Sequence, residues 1–122
     1  MRFFRCNHHA VIQACISTSG KAPSDTPKEE LIANTVDAAI EKHVPVIARE
    51  GNTVTVTVGS VLHPMTEEHY IPFIALETAQ GLQVKNLKPG MKPVAVFALA
   101  DGDEPVAAYE YCNLHGLWKA EV

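Results

Sequence analysis

The sequence predicts an all-β fold, an antiparallel sandwich or barrel, on three observations. Thr53-Val54-Thr55-Val56-Thr57-Val58 alternates threonine with valine, the period of a strand that turns one face to a core. About seven short β-rich stretches follow one another from Val44 onward, with turn formers about every ten residues. No glycine-rich phosphate loop, internal repeat or low-complexity tract interrupts them.

Taken in order, residues 1–15 read as a short hairpin-like start, with Phe3-Phe4 and Val11-Ile12 on either side of Cys6-Asn7-His8-His9. Residues 17–28 are turn formers and small polar residues, hence a loop or linker. Glu29 to Ile40 has the composition of a short helix, most helical at Asp37-Ala38-Ala39-Ile40, and a boundary is expected within 28–36. Val44 to Arg49 is rich in β-branched residues and closes on the turn Gly51-Asn52. In the strand 53–58, Val54, Val56 and Val58 face inward and the threonines outward. Further strands are expected at 69–76, 82–86, 94–100, 106–112 and 117–121. Gly81, Lys88-Pro89-Gly90 and Asp101-Gly102-Asp103 separate them as turn chemistry.

The chain has 122 residues, 47% of them apolar and 20% charged, enough to bury a core in one domain or a small domain with an appendage. Ten Lys+Arg against fourteen Asp+Glu give a net charge of −4. That balance argues against nucleic acid or an anionic membrane as partner, since neither phosphate surface would find a basic face. No apolar run approaches the roughly 20 residues of a membrane helix. Met1-Arg2-Phe3-Phe4-Arg5-Cys6 carries no signal-peptide pattern, so the cytoplasm is the expected compartment. Six histidines remain, with an odd three cysteines at positions 6, 15 and 112, a poor disulfide framework. Metal ligation or thiol chemistry is left.

Outside the N-terminus the reactive side chains fall in four stretches: Glu41-Lys42-His43, His63-Pro64-Met65, Glu67-Glu68-His69-Tyr70 and Tyr111-Cys112-Asn113-Leu114-His115-Gly116. A sandwich gathers its loops at two ends, where residues distant in sequence converge. Four imidazoles and one thiolate suffice for a transition metal. Each residue also has a plainer reading. Cys112 and His115 can be a buried structural thiol beside a surface imidazole. His63 and His69 can be solvated loop residues, and His43 can simply open a strand. Glu67 and Glu68 read as solvated carboxylates, Tyr70, Tyr109, Tyr111 and Trp118 as core or edge aromatics. Met65 reads as packing, and Pro45 and Pro64 as fixing the chain beside the adjacent histidines.

The blocks Glu41-Lys42-His43-Val44-Pro45, His63-Pro64-Met65-Thr66-Glu67-Glu68-His69-Tyr70-Ile71 and Tyr111-Cys112-Asn113-Leu114-His115-Gly116-Leu117-Trp118 resemble the three signature blocks of the desulfoferrodoxin/neelaredoxin family, the superoxide reductases. The likeness runs from about residue 34 to the C-terminus. It implies an immunoglobulin-like antiparallel β-sandwich and the reduction of superoxide to hydrogen peroxide at one mononuclear non-haem iron. It also implies the ligands: imidazoles of His43, His63, His69 and His115, the thiolate of Cys112, and a sixth position left open. The family's charged pair beside that position matches Glu41 and Lys42. A thiolate ligand pushes electron density toward bound oxygen species. Lys42 would draw a small anion to a protein that is negative overall, and Glu41 would cap the oxidised resting form. Phe73 stands where relatives often carry tryptophan.

The N-terminus departs from the two-iron members of the family, which open on a Cys-x-x-Cys and a later Cys-Cys pair. Cys6 is present, but His9 stands in the second cysteine's place, the Cys-Cys pair is absent, and Cys15 matches nothing. The resemblance therefore implies residues 1–33 as a desulforedoxin-like remnant without its own iron, and 34–122 as the iron-binding catalytic sandwich. A mixed site of Cys6, His8, His9 and Cys15 fits no zinc spacing. A rubredoxin-like electron donor and a homo-oligomer are implied partners. Three other readings stay in view: a blue-copper electron carrier, a non-catalytic metal-binding sandwich, and a Cys112 thiol nucleophile. The first wants an axial methionine after the second histidine, where His115 is followed by Gly116-Leu117-Trp118. The second has no use for the Glu41-Lys42 pair, and the third lacks an orienting group.

Overall fold

The computed structural model describes residues 1–6, 12–15 and 28–122. His8, His9 and residues 17–27 of the linker expected over 17–28 lie outside the described residues, and Lys28 opens a strand instead. The chain divides into two compact units, Met1–Ile32 and Ala33–Val122.

The first unit is a three-stranded antiparallel sheet of β1 (Arg2–Cys6), β2 (Ile12–Cys15) and β3 (Lys28–Leu31), in the order β2-β1-β3. The helix expected over 29–40 does not form. Its first residues pair instead as β3 against β1, with Arg5 opposite Glu29 and Phe4 opposite Glu30. Arg2 grips both carboxylate oxygens of Glu30, at 2.8 and 3.0 Å, and Arg5 reaches Glu29 at 2.7 Å. Only one helical turn survives, α1 (Ile40–His43). A helix nucleus this short gains too few hydrogen bonds to propagate alone, so strand pairing decides the conformation of Glu29 and Glu30. In the same sheet Cys15 lies opposite Arg2, and Cys6 opposite Lys28.

The second unit is a sandwich of two antiparallel sheets. One has the order β10-β9-β6-β7, built from β6 (Phe73–Thr78), β7 (Gly81–Asn86), β9 (Pro105–Cys112) and β10 (Gly116–Glu121). The other has the order β4-β5-β8, from β4 (Pro45–Glu50), β5 (Thr53–Val58) and β8 (Val94–Ala98). The Thr/Val alternation places Val54, Val56 and Val58 fully inside, against Ile74, Leu76, Phe97 and Ala108. Such burial is worth roughly 1.5–3 kcal/mol per large side chain. Thr55 and Thr57 are half-buried rather than open, because β5 is the middle strand of its sheet. The strand expected from residue 69 begins only at Phe73. Residues before it form a turn in which Thr66 and His69 exchange main-chain hydrogen bonds of 2.9 and 3.3 Å.

Candidate metal centre

Three connections at one end of the sandwich carry the reactive side chains. His43 closes α1, His63 and His69 lie on the long β5–β6 connection, and Cys112 ends β9 with His115 in the turn to β10. Gly116, with φ +78°, takes the left-handed conformation that lets β10 start immediately after His115.

Two of the four rings are held from behind by backbone carbonyls. His43 Nδ1 lies 2.7 Å from the carbonyl of Ala39, and His63 Nδ1 lies 2.7 Å from that of Pro64. A carbonyl only accepts, so both Nδ1 atoms donate and both Nε2 atoms carry lone pairs. These lone pairs nevertheless face one another at 3.3 Å. His43 Nε2 is also 3.1 Å from His115 Nδ1, and His69 Nε2 is buried without a hydrogen-bond partner. The Cys112 sulfur, fully buried, sits 3.7 Å from His115 Nδ1. Trp118, buried, stacks on His43 at 4.9 Å and donates its indole N–H to the His115 carbonyl at 3.1 Å.

The imidazoles form a square. Neighbouring centroids are 4.8 Å (His43–His63), 4.5 Å (His63–His69), 5.1 Å (His69–His115) and 4.9 Å (His43–His115) apart, whereas the diagonal His43–His69 is 6.5 Å. One donor atom from each of these four and from Cys112 all lie within 4.8 Å of one another. Lone pairs converging in a buried space with too few protons between them need a cation at their centre, and four imidazoles with a thiol suit a transition metal. The donor set fits an iron of the superoxide-reductase kind. A two-imidazole blue-copper site would leave two of the rings without a purpose.

The electrostatics agree. Burial, more than the neighbouring imidazoles, lowers the pKa of His43 and His69, and lowers that of His63 to about 4, so these rings are neutral at pH 7 and have lone pairs to offer a metal. Burial raises the Cys112 thiol, against hydrogen bonds from the backbone N–H groups of Leu114 and His115. A bound cation reverses that balance and holds a thiolate. The Lys42 ammonium acts electrostatically on both His43 and His69, and the Glu41 carboxylate on His43, although both side chains are exposed.

A Desulfoferrodoxin family model matches residues 35–121. The chain belongs to the desulfoferrodoxin family. It is 49% identical to a desulfoferrodoxin from Clostridium acetobutylicum over 79% of this chain and 74% of that one. Identity to a superoxide reductase from Pyrococcus horikoshii is 39%, covering 67% of this chain and 86% of the relative. The solved structure of the superoxide reductase from Treponema pallidum superimposes with a TM-score of 0.77 at 40% identity, covering 91% of this chain and 93% of that chain. The members of this family share a β-sandwich with the present fold, and among the described residues the five donors are the group placed to hold a metal.

Two residues that sequence reasoning passed over contribute here. Glu110, two positions before Cys112 on β9 and with the same inward parity, is fully buried with both carboxylate oxygens unpartnered, and burial raises its pKa well above the ordinary range. An acid within an otherwise apolar inward face is the sequence signal for it. Gly59 follows β5 and lies against the backbone of the Glu41–Lys42 turn. A Cβ there would meet the Glu41 carbonyl oxygen at 2.7 Å, the Val44 carbonyl oxygen at 3.0 Å and the Lys42 carbonyl carbon at 3.1 Å. The same turn is held by Val61 N–H at 2.9 Å and Ser60 Oγ at 3.2 Å, both donating to the Glu41 carbonyl. Gly59→Ala must therefore displace the turn carrying Glu41, Lys42 and His43. The expected cost is about 1–3 kcal/mol of stability with slower superoxide reduction. Denaturant midpoints and superoxide decay rates check this, and wild-type values for both would contradict it.

Proposed function

We propose that this chain is a superoxide reductase, an enzyme that adds one electron and two protons to superoxide to give hydrogen peroxide. The observation that carries this is the square of four imidazoles with one buried thiol on their border. The ligands in this reading are His43, His63, His69, Cys112 and His115, and the metal is a single mononuclear non-haem iron, which supplies the electron. The protein contributes the rest. Carbonyls of Ala39 and Pro64 fix the tautomers of His43 and His63, so that Nε2 presents its lone pair. Trp118 and the apolar core exclude water from one side of the rings. Leu114 and His115 N–H groups stabilise negative charge on the Cys112 sulfur and moderate its donation.

Glu41 and Lys42 are the residues this reading assigns to the approach of substrate and release of product. Lys42 sits on an exposed turn, and its charge reaches two of the four imidazoles, which supports a role in drawing the anion toward the metal. Steering of this kind raises association rates by about 10-fold or more. Lys42→Ile is expected to slow the second-order reaction with superoxide about tenfold and to flatten its dependence on ionic strength, with iron content unchanged. Pulse-generated superoxide at low and high salt measures both. Loss of iron in the variant would show that Lys42 has a structural role instead.

The electron donor in this reading is a rubredoxin-like protein, the working form a homo-oligomer, and the compartment the cytoplasm. Family likeness supports the first two. Among the described residues no helix is long and apolar enough to cross a membrane. Metal analysis tests the whole reading: one iron per chain with a thiolate-to-iron absorption is expected, and a cupric signal without iron would sink it.

A further inference from the structure

Asn113 directly follows Cys112, yet its side chain serves a different connection. Its Oδ1 accepts the Tyr70 N–H at 3.0 Å, its Nδ2 donates to the Glu68 carbonyl at 3.0 Å, and its own N–H donates to the Tyr70 carbonyl at 3.2 Å. The amide orientation is fixed by its partners, because a backbone N–H can only donate and a carbonyl can only accept. Glu68 and Tyr70 are the two neighbours of His69. The residue beside Cys112 thus ties down the chain on both sides of His69.

His69 depends on its main chain for placement. Thr66 holds it through the main-chain exchange already described, and Thr66 Oγ1 accepts the His69 N–H at 3.1 Å. That turn fixes His69 within its own loop but says nothing of where the loop stands relative to β9. The link to β9 is Asn113. A turn-forming asparagine would bond to its own backbone within a few residues, whereas this amide reaches residues 43 and 45 positions away.

We propose that Asn113 is a positioning residue for the metal centre, setting the separation of His69 from Cys112 and His115. The proposal rests on the reading of these residues as ligands of one ion. Groups that orient metal ligands without touching the metal typically change affinity by about 10–100-fold when removed.

The test uses the full-length iron-loaded protein, challenged with an excess of a ferrous chelator, with the thiolate-to-iron absorption of the oxidised form recorded in parallel. Asn113→Ala is expected to release iron about tenfold faster and to shift the absorption band. Asn113→Asp keeps the acceptor for Tyr70 but loses the donor to Glu68, and is expected to fall between the wild type and alanine. Denaturation of the metal-free forms separates positioning from general damage. Faster release with unchanged metal-free stability supports the proposal, and the aspartate variant decides if the alanine variant does not fold. Wild-type release and absorption in the variants overturn it, as does a loss of metal-free stability as large as the loss of iron affinity. A wild-type chain that takes up no iron overturns the ligand reading and this proposal together; iron held equally by wild type and variants overturns this proposal alone.

Discussion

Replacing Cys112 with serine is expected to abolish the thiolate-to-iron absorption and to lower superoxide reduction by more than about a hundredfold, beyond the range for residues that only support ligands. Serine is close in shape, and the site is fully buried at the end of β9, so the sandwich should fold with little change. What the substitution removes is a soft, electron-donating ligand, replaced by a hydroxyl that ionises far less readily. The backbone N–H groups of Leu114 and His115, aimed at sulfur, would meet a smaller atom. Absorption of the oxidised protein and superoxide decay measure the two effects. An unchanged visible spectrum would contradict the assignment of Cys112 as ligand.

Removal of the metal is expected to weaken the fold substantially. Without a cation, Nε2 lone pairs at 3.3 Å and a buried unpartnered His69 Nε2 are left facing one another. Metal binding free energy is then lost from the folding balance. A fall of about 10 °C or more in melting temperature is expected for a domain of this size, corresponding to a few kcal/mol. The metal-free protein should also acquire a steep acid dependence. Burial lowers His63 from 6.5 to about 4, and His43 and His69 shift the same way. An unfolded imidazole takes up its proton near 6.5, the folded one only near 4, so the native state binds fewer protons between these values. Stability is therefore fully present above pH 6.5 and is lost as the pH falls toward 4, by about 3 kcal/mol for His63 alone. Melting at pH 7.5 and pH 5 reads the effect, and pH-independent melting would show that the rings are not buried neutral groups.

Much of the sandwich was legible because β5 writes its register in its side chains: Val54, Val56 and Val58 allow one face only. The reactive stretches were legible by residue type, because histidines and a cysteine stand out between apolar strands, and the family likeness implied that they act together; the structure brings their donor atoms within 4.8 Å of one another. The N-terminal helix was misread because pairing with β1, 25 or so residues away, sets the conformation of Glu29 and Glu30; local composition carries no trace of a partner so distant. Trp118 was read as a core or edge aromatic, and the structure adds that it stacks on His43. Met65 is indeed packing, partly buried against the core, with its sulfur accepting the Ile71 N–H at 3.4 Å. Phe73 stacks on Tyr111, its register partner across β6 and β9, at 6.1 Å. Gly59 escaped notice because a glycine needed for close approach looks like any other turn glycine until its neighbours are known.

The strand register of the first unit carries a consequence for oxidation. Cys15 faces Arg2, while Cys6 is at the far end of β1. Four residues of strand separate their positions, which puts the two Cα atoms about 13 Å apart. A disulfide tolerates no more than about 7 Å, so these thiols cannot join within one chain, nor share one tetrahedral ion. An enzyme whose product is hydrogen peroxide thus carries two cysteines with no internal means of mutual protection. Peroxide can take them to sulfenic acid, and Cys6 and Cys15 cannot then close a disulfide with each other, which makes a second molecule a partner for either thiol. Non-reducing electrophoresis after turnover would display such a bridge as a covalent dimer, with the monomer free of an internal N-terminal link.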